Sequence, residues 1–406
     1  MALAVEGRWR LYSAASDAGL LPDPVSWRLQ VPASGVGGAE LVYPLDGVRA
    51  DALTDDLWVG LGWEVMDDGG NWIEPDNCRF LPYARQLDEA AGTLTLQAAS
   101  HGWLLGKAVR WPDLADTEAG KRVFAGATAG HILGWLHDTA TARHAIANLA
   151  IDFDDAADSD TVAWRDAIDV EYERGVTTRN VMEGLASTFE LVWRTRGYTW
   201  QVSQTGRFAD WPTAAAILLD GRDVTVEHWA ADISDAAGEV LATGQDGTWG
   251  SALDSDAGTW GRWQVATSTT GARTWTTLTA AAQAELAGRG VHQSAQATLL
   301  PGGPRPFIDI APGHPVTVLR TPPDGANARW GVSRWGEPGA IWDGPTSWHQ
   351  AIGAPITELV VIDDGAATTA TITIGDVTGS ATDLLTRTVR AITGGRVARR
   401  PVTGIL

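Results

Sequence analysis

Carboxylates are the side chains of this chain best placed to do chemistry, with 50 Asp and Glu against 30 Lys and Arg. Their densest run is Asp152-Phe-Asp-Asp155, followed by Asp158 and Asp160. Its first two positions match the leading ligands of a calcium loop, where alternating oxygens close on a hard cation. The match then ends: Ala156 stands where the third ligand belongs, no glycine makes the next turn, and no Glu closes the loop. The run therefore reads as a solvated acidic loop. Glycoside hydrolysis needs two carboxylates facing one bond. Glu64 near Trp63 and Trp72, or Asp254 and Asp256, could be drawn into such a pair, but nothing in the sequence selects one over the many others.

Other chemistries find less support. The 8 histidines include no His-Glu-x-x-His pair, and His131 and His137 do not share a helix face. Cys78 is the single cysteine, so neither an intrachain disulfide nor a cysteine-based zinc site is available within one chain. Lys107 and Lys121 are the only lysines, and the chain has no G-x-S-x-G elbow and no phosphate-cradling loop. The expectation is a protein with no catalytic site, no metal and no cofactor.

The elements that must position these residues are mostly strands. Trp27–Val31, Ala39–Tyr43, Leu57–Leu61 and Gly92–Gln97 alternate or are β-branched, with Asp67-Asp-Gly-Gly-Asn71 as a loop tip. Ile132, Leu133, Trp135 and Leu136 predict a helix within Thr128–Ala145, weakened by Gly130 and Gly134. Val181, Met182, Leu185, Phe189, Val192 and Trp193 predict a longer one over Thr178–Arg196, capped by Thr177 or Thr178 and closed by Gly197, with Tyr198–Val202 returning as a strand. Further on come strands Val224–Trp229, Val291–Thr298, Pro315–Leu319 and Arg329–Trp335, and a helix around Thr279–Ala287 stopped by Gly288 and Gly290. Leu359–Ile362 and Thr369–Ile374 are flat β-branched runs that would aggregate unless paired or covered.

The 21 tryptophans extend from Trp9 to Trp348 without forming one cluster. Such dispersal suits a protein touching neighbours on several faces better than an enzyme with one cleft. Gly247-Thr-Trp-Gly250 and Gly258-Thr-Trp-Gly261 form a near-repeat, expected as a hairpin with matched aromatic arms. The sharper alternative has Trp249 and Trp260 contacting a partner or a glycan. A net charge of −20 excludes a general nucleic-acid binder, which needs a basic stripe. The exception is the basic end, Arg387, Arg390, Arg396, Arg399 and Arg400, a solvated tail or a docking end for an acidic neighbour. The N-terminus carries no signal-peptide pattern, and no stretch is apolar enough to span a membrane, so neither secretion by a leader nor stable membrane insertion is expected.

These features give a mainly β fold with an α+β insertion. The expected division is two small antiparallel β-barrel-like domains at 1–110 and 224–355, flanking a mixed α/β region at 111–223, with a docking segment at 356–406. The order of Leu41-Val-Tyr-Pro-Leu-Asp-Gly47, Leu94–Leu105, the helix–strand unit Asn180–Val202, Thr259–Trp263 and Pro306–Val318 resembles the minor tail proteins of long-tailed actinobacterial phages, of the tail-tip or baseplate-hub type. That resemblance implies a homotrimeric ring ending the tail tube in the virion's tail tip. It implies contacts with a distal tail ring, a tape measure and fibre or receptor-binding proteins, and a central channel for transient DNA passage. It also implies that acidic or small residues face the axis. Rival readings are a hexameric distal tail ring protein, a receptor- or sugar-binding tail protein and a cell-wall hydrolase.

Overall fold

The computed structural model describes residues 6–13, 16–45, 59–320 and 350–375, apart from 118, 147, 166, 233–235, 245–246, 255–262, 270–271, 273 and 290–291. Eight strands open the chain: β1 (Gly7–Ser13), β2 (Ser16–Leu20), β3 (Ser26–Pro32), β4 (Gly38–Pro44), β5 (Val59–Met66), β6 (Trp72–Ile73), β7 (Arg79–Asp88) and β8 (Thr93–Ser100). A mixed stretch follows, with β9 (Lys121–Ala127), α1 (Ala129–Ala142), β10 (Ala150–Ile151), β11 (Ile168–Glu173), α2 (Thr178–Phe189), β12 (Val192–Arg196) and β13 (Thr199–Ser203). Then come β14 (Ala216–Leu219), β15 (Val224–Asp232), β16 (Glu239–Thr243), β17 (Trp249–Leu253), β18 (Gln264–Ser268) and α3 (Trp275–Ala287). The last strands are β19 (His292–Leu299), β20 (Pro315–Arg320), β21 (Gln350–Asp363) and β22 (Thr368–Ile374). No described helix is long and apolar enough to cross a membrane.

The fold is mainly β, as the alternation predicts, but the described strands close no barrel. Fourteen of them form one sheet in the order β15-β19-β22-β21-β3-β4-β8-β7-β5-β1-β2, with β20 on β21, β14 on β20 and β6 on β5. The two β-rich stretches meet where β21 runs antiparallel to β3, placing Leu359 opposite Val31 and Val361 opposite Leu29. Ile356, Leu359, Val361, Ala370, Ile372 and Ile374 are all fully buried. Residues 356–374 are therefore not a docking arm, because their aggregation-prone edges are already paired on both sides within the chain. The basic end beyond them lies outside the described residues.

One core runs under both halves of the sheet. Trp9 stacks edge-on against Trp27 at 6.0 Å, Trp27 lies 5.8 Å from Trp63, and Trp63 meets Phe307 of the C-terminal half at 5.0 Å. Trp9, Trp63, Trp193, Trp200 and Trp211 are buried inside the chain, which corrects the expectation that the indoles mark seams between copies. Among the described tryptophans, Trp111, Trp249, Trp263 and Trp275 are the ones largely exposed. Each large ring removes on the order of 150–250 Å² from water, so the sheet halves are held chiefly by hydrophobic burial.

Two further cores hang from this frame. In the first, Ile132, Leu133 and Leu136 of α1 pack with Val181, Met182 and Leu185 of α2, and with Trp193 and Trp200 from the β10-β13-β12 sheet. Thr128 caps α1 by accepting from His131 N at 3.1 Å, and Thr177 caps α2 by accepting from Asn180 N at 3.1 Å. Helix α2 stops sooner than its apolar spacing predicts, because Glu190 takes a left-handed φ of 54° and Val192–Arg196 is a strand. Gly197, at φ 57°, closes no helix but turns the β12–β13 hairpin, where Arg196 faces Thr199. In the second, α3 covers one face of the β17-β16-β18 sheet, burying Leu278, Ala281 and Ala282 against Val240, Ala242 and Ala252.

Candidate functional site

Strand alternation gives the large sheet a second face, opposite the core, that is mostly polar from β15 to β8, with Val360 and Ile362 of β21 as its apolar members. One row across it reads Thr225, Thr298, Thr371, Val360, Gln30 and Gly38, each opposite the next. A second reads Thr369, Ile362, Arg28, Glu40 and Gln97. The acids on this face are held by neutral partners rather than by cations. Gln30 Nε2 donates to Glu358 at 2.5 Å, Gln97 Nε2 to Glu40 at 3.3 Å, and Thr298 Oγ1 to Glu227 at 2.5 Å. Arg28 is the one cationic side chain on these two rows. The face is thus mostly hydrophilic and weakly acidic.

The acidic run is not merely solvated. Asp154 Oδ1 accepts from Ala156 N at 2.7 Å and Ala157 N at 2.8 Å, and those bonds hold its carboxyl below the usual range. Asp158 is buried and accepts from Val162 N at 2.9 Å and Gln204 N at 3.0 Å; Asp152 accepts from Gln201 Nε2 at 2.6 Å. These carboxylates replace missing backbone partners and tie the loop to β13. Among the described residues, no three metal-ligating side chains converge.

Glu64 does lie near a second carboxylate, Glu74, but each is taken up by arginine. Glu64 meets Arg8 at 2.6 Å and Arg10 at 3.5 Å, and Glu74 meets Arg79 at 2.7 Å. Arg79 in turn sits over the Tyr12 ring at 3.6 Å. Burial raises the Glu74 carboxyl, and Arg79 opposes it. Trp63 points into the core and Trp72 lies under Arg8 at 4.1 Å, so neither offers a sugar platform beside these acids. Asp254 is exposed at the end of β17, while Asp256 lies outside the described residues.

A polar seam joins the large sheet to the first helical module, and its residues were not singled out by sequence. Buried Arg194 reaches Asp76 at 2.5 Å and Asp210 at 2.8 Å and stacks on Phe208 at 3.8 Å. Arg196 reaches the same two acids at 2.8 and 2.5 Å. Burial works against the Asp210 charge, but the two arginines outweigh it and hold the carboxyl low. Beside them Asn77, at φ 58°, accepts from Thr195 N at 2.8 Å and donates to the Pro32 carbonyl at 3.3 Å. The seam borders a cleft of about 310 Å³ lined also by Phe307 and His314. Arg194-x-Arg196 at strand spacing was the available signal, concealed by reading that stretch as helix.

Trp249 is 56% exposed on β17. Its strand pairs with β16, which also pairs with β18, so β17 and β18 flank β16 rather than forming a hairpin with each other. Trp260 and the arginines at 387, 390, 396, 399 and 400 lie outside the described residues.

No protein-family model matches the sequence, and no curated protein is similar to it in sequence. Solved structures are similar in fold. A tail protein from Neisseria meningitidis MC58 superposes with a TM-score of 0.55 at 12% identity, over 91% of this chain and 96% of that one. Prophage tail protein gp18 from Listeria monocytogenes EGD-e gives 0.52 at 9% identity, over 95% of this chain and all of the other (100%). What this chain shares with these two tail proteins is a fold, over 91% and 95% of its length.

Proposed function

We propose that this chain is a structural, non-enzymatic subunit of a phage tail, acting as the baseplate hub at the tail tip. In this reading three copies form a ring that ends the tail tube. The ring contacts a distal tail ring and a tape measure on one side and carries fibre or receptor-binding proteins on the other. DNA passes through its centre without being held. The fold shared with two tail proteins supports the class. The observation that carries the finer reading is the Thr-, Gln- and Glu-rich face of the large sheet, continuous across both halves. Along its two rows a wall of that composition offers phosphate one cation, Arg28, with Glu40 opposite it, so passing DNA meets no basic stripe that would retard it.

The experiment replaces Thr298, Thr371 and Gln30 by Lys in an intact virion. If this face lines the channel, DNA release slows, and slows most at low salt, where the Debye length is longest. Release at the parental rate, or an image of the particle with this face on its outside, refutes the assignment. Mass measurement of the ring separates three subunits from the six of a distal tail ring protein.

A further inference from the structure

We infer that the open face of the β17-β16-β18 module is the docking site of this chain's own C-terminal segment, residues 383–392. The inference does not rest on the hub reading.

The face carries large apolar side chains where solvent is expected. In β17 the residues pointing away from α3 are Trp249, Ser251 and Leu253; in β16 they are Glu239, Leu241 and Thr243. Ser251 stands opposite Leu241, with Trp249 and Leu253 as its neighbours two residues to either side. Diagonal cross-strand neighbours at that spacing are within reach of large side chains. Trp249, Leu241 and Leu253 are 56%, 40% and 49% exposed, and Ala266 continues the patch onto β18 beside Leu241. Such contiguous apolar surface marks a contact site.

Three observations name the occupant. The first is position: Ile374 pairs with Ala295, and Gly375 packs on Gln293 and Ser294, so the chain leaves the sheet at the start of β19, where α3 hands over to it. That point is the root of the module. The second is reach. Residue 383 lies eight residues beyond Gly375, up to about 26 Å of extended chain, against the roughly 17 Å length of a five-residue strand. The third is chemistry. Leu385, Val389 and Ile392 recur at i, i+4 and i+7, one stripe of a helix, with Arg387 and Arg390 between them. Glu239, opposite Leu253, and Asp254 border the apolar patch with the complementary sign.

The test uses the full chain with one or two added cysteines; native Cys78 is fully buried and stays out of the reaction. Leu241→Cys paired with Val389→Cys is expected to form a disulfide within one chain under mild oxidant, seen as a faster-migrating monomer on a non-reducing gel. Ile217→Cys, 62% exposed on β14, paired with Val389→Cys should not. With Leu241→Cys alone, maleimide labelling is expected to speed at least tenfold when residues 376–406 are deleted. Equal labelling rates overturn the proposal. A disulfide joining two chains also overturns it, making a second copy the occupant.

Discussion

Replacing Gly130 by Ala sets two opposing effects against each other in one helix. Alanine favours a helix interior over glycine by about 1 kcal/mol. Yet a Cβ at 130 would lie far inside van der Waals contact with the Asp154 carbonyl oxygen and the Trp164 indole. Those two groups are already joined, Trp164 Nε1 donating to Asp154 O at 2.8 Å. Making room displaces a loop that is pinned by the Asp154 turn. Overpacking costs about 1–3 kcal/mol and the weakened bond about 1 more, so net destabilisation comes to roughly 1–3 kcal/mol. Gly134 lies one turn along the same helix, and its Cβ would meet only Asp155 Oδ1, at 4.0 Å. Gly134→Ala should therefore stabilise, by about 0.5–1 kcal/mol. The assay is native-state amide exchange of α1 in each variant, which reads the module without assuming one global transition. Equal protection in the two variants would show that the loop does not press on the helix as described.

Ending the chain after Pro355 removes the half of β21 that pairs with β3, and all of β22. The product should aggregate, and a soluble species with native circular dichroism would contradict the strand order. Burial depresses the His101 imidazole from 6.5 to about 4, partly opposed by the bond to the Arg79 carbonyl. A depressed histidine favours the fold above the unfolded pKa, and the benefit is lost as the pH falls, because the unfolded state takes up the proton first. Stability should thus drop by about 3 kcal/mol between pH 6.5 and 4. A denaturant series in which His101→Gln keeps the same slope over that window would exclude this cause. Asn77→Ala leaves Thr195 N without its acceptor at a left-handed φ of 58°, costing about 2–4 kcal/mol; Asn77→Gly should recover about 1 of it, and denaturation midpoints that rank Gly below Ala would rule out the strain.

Strands whose alternation expresses one buried face were legible in the sequence. Thr369-Ala-Thr-Ile-Thr-Ile374 sends Ala370, Ile372 and Ile374 to the core, as its period of two demands. Their place in the fold was not legible, because pairing between Leu359 and Val31 leaves no local trace. The helix over 178–196 failed at a boundary: Val192 and Trp193 keep the helical spacing by coincidence, while Glu190's backbone conformation decides the end. Gly130 looked like a weakness in α1, yet it is what lets the acidic loop approach. The tryptophans misled for a physical reason. An indole has the same affinity for a partner's surface as for the chain's own core, so counting rings does not say which they meet. Of the candidate site, Trp249 was found by type, whereas Arg194, Asn77 and the polar rows required the register.

The pairing of β3 with β21 also orders how the molecule is built. Leu29 and Val31 find their partners Val361 and Leu359 only when nearly all of the described chain is available. Loop closure over such a separation is paid in entropy before any contact returns it, so this step should be slow. The helical module and the β17-β16-β18 module each bury a core of contiguous sequence and need not wait. They should gain protection first, with β3, β21 and β22 last. The polar face, which needs both halves of the sheet, then exists only in the completed subunit. Pulse-labelled amide exchange during refolding tests this directly, and early protection of β3 ahead of α1 and α2 would reverse the order.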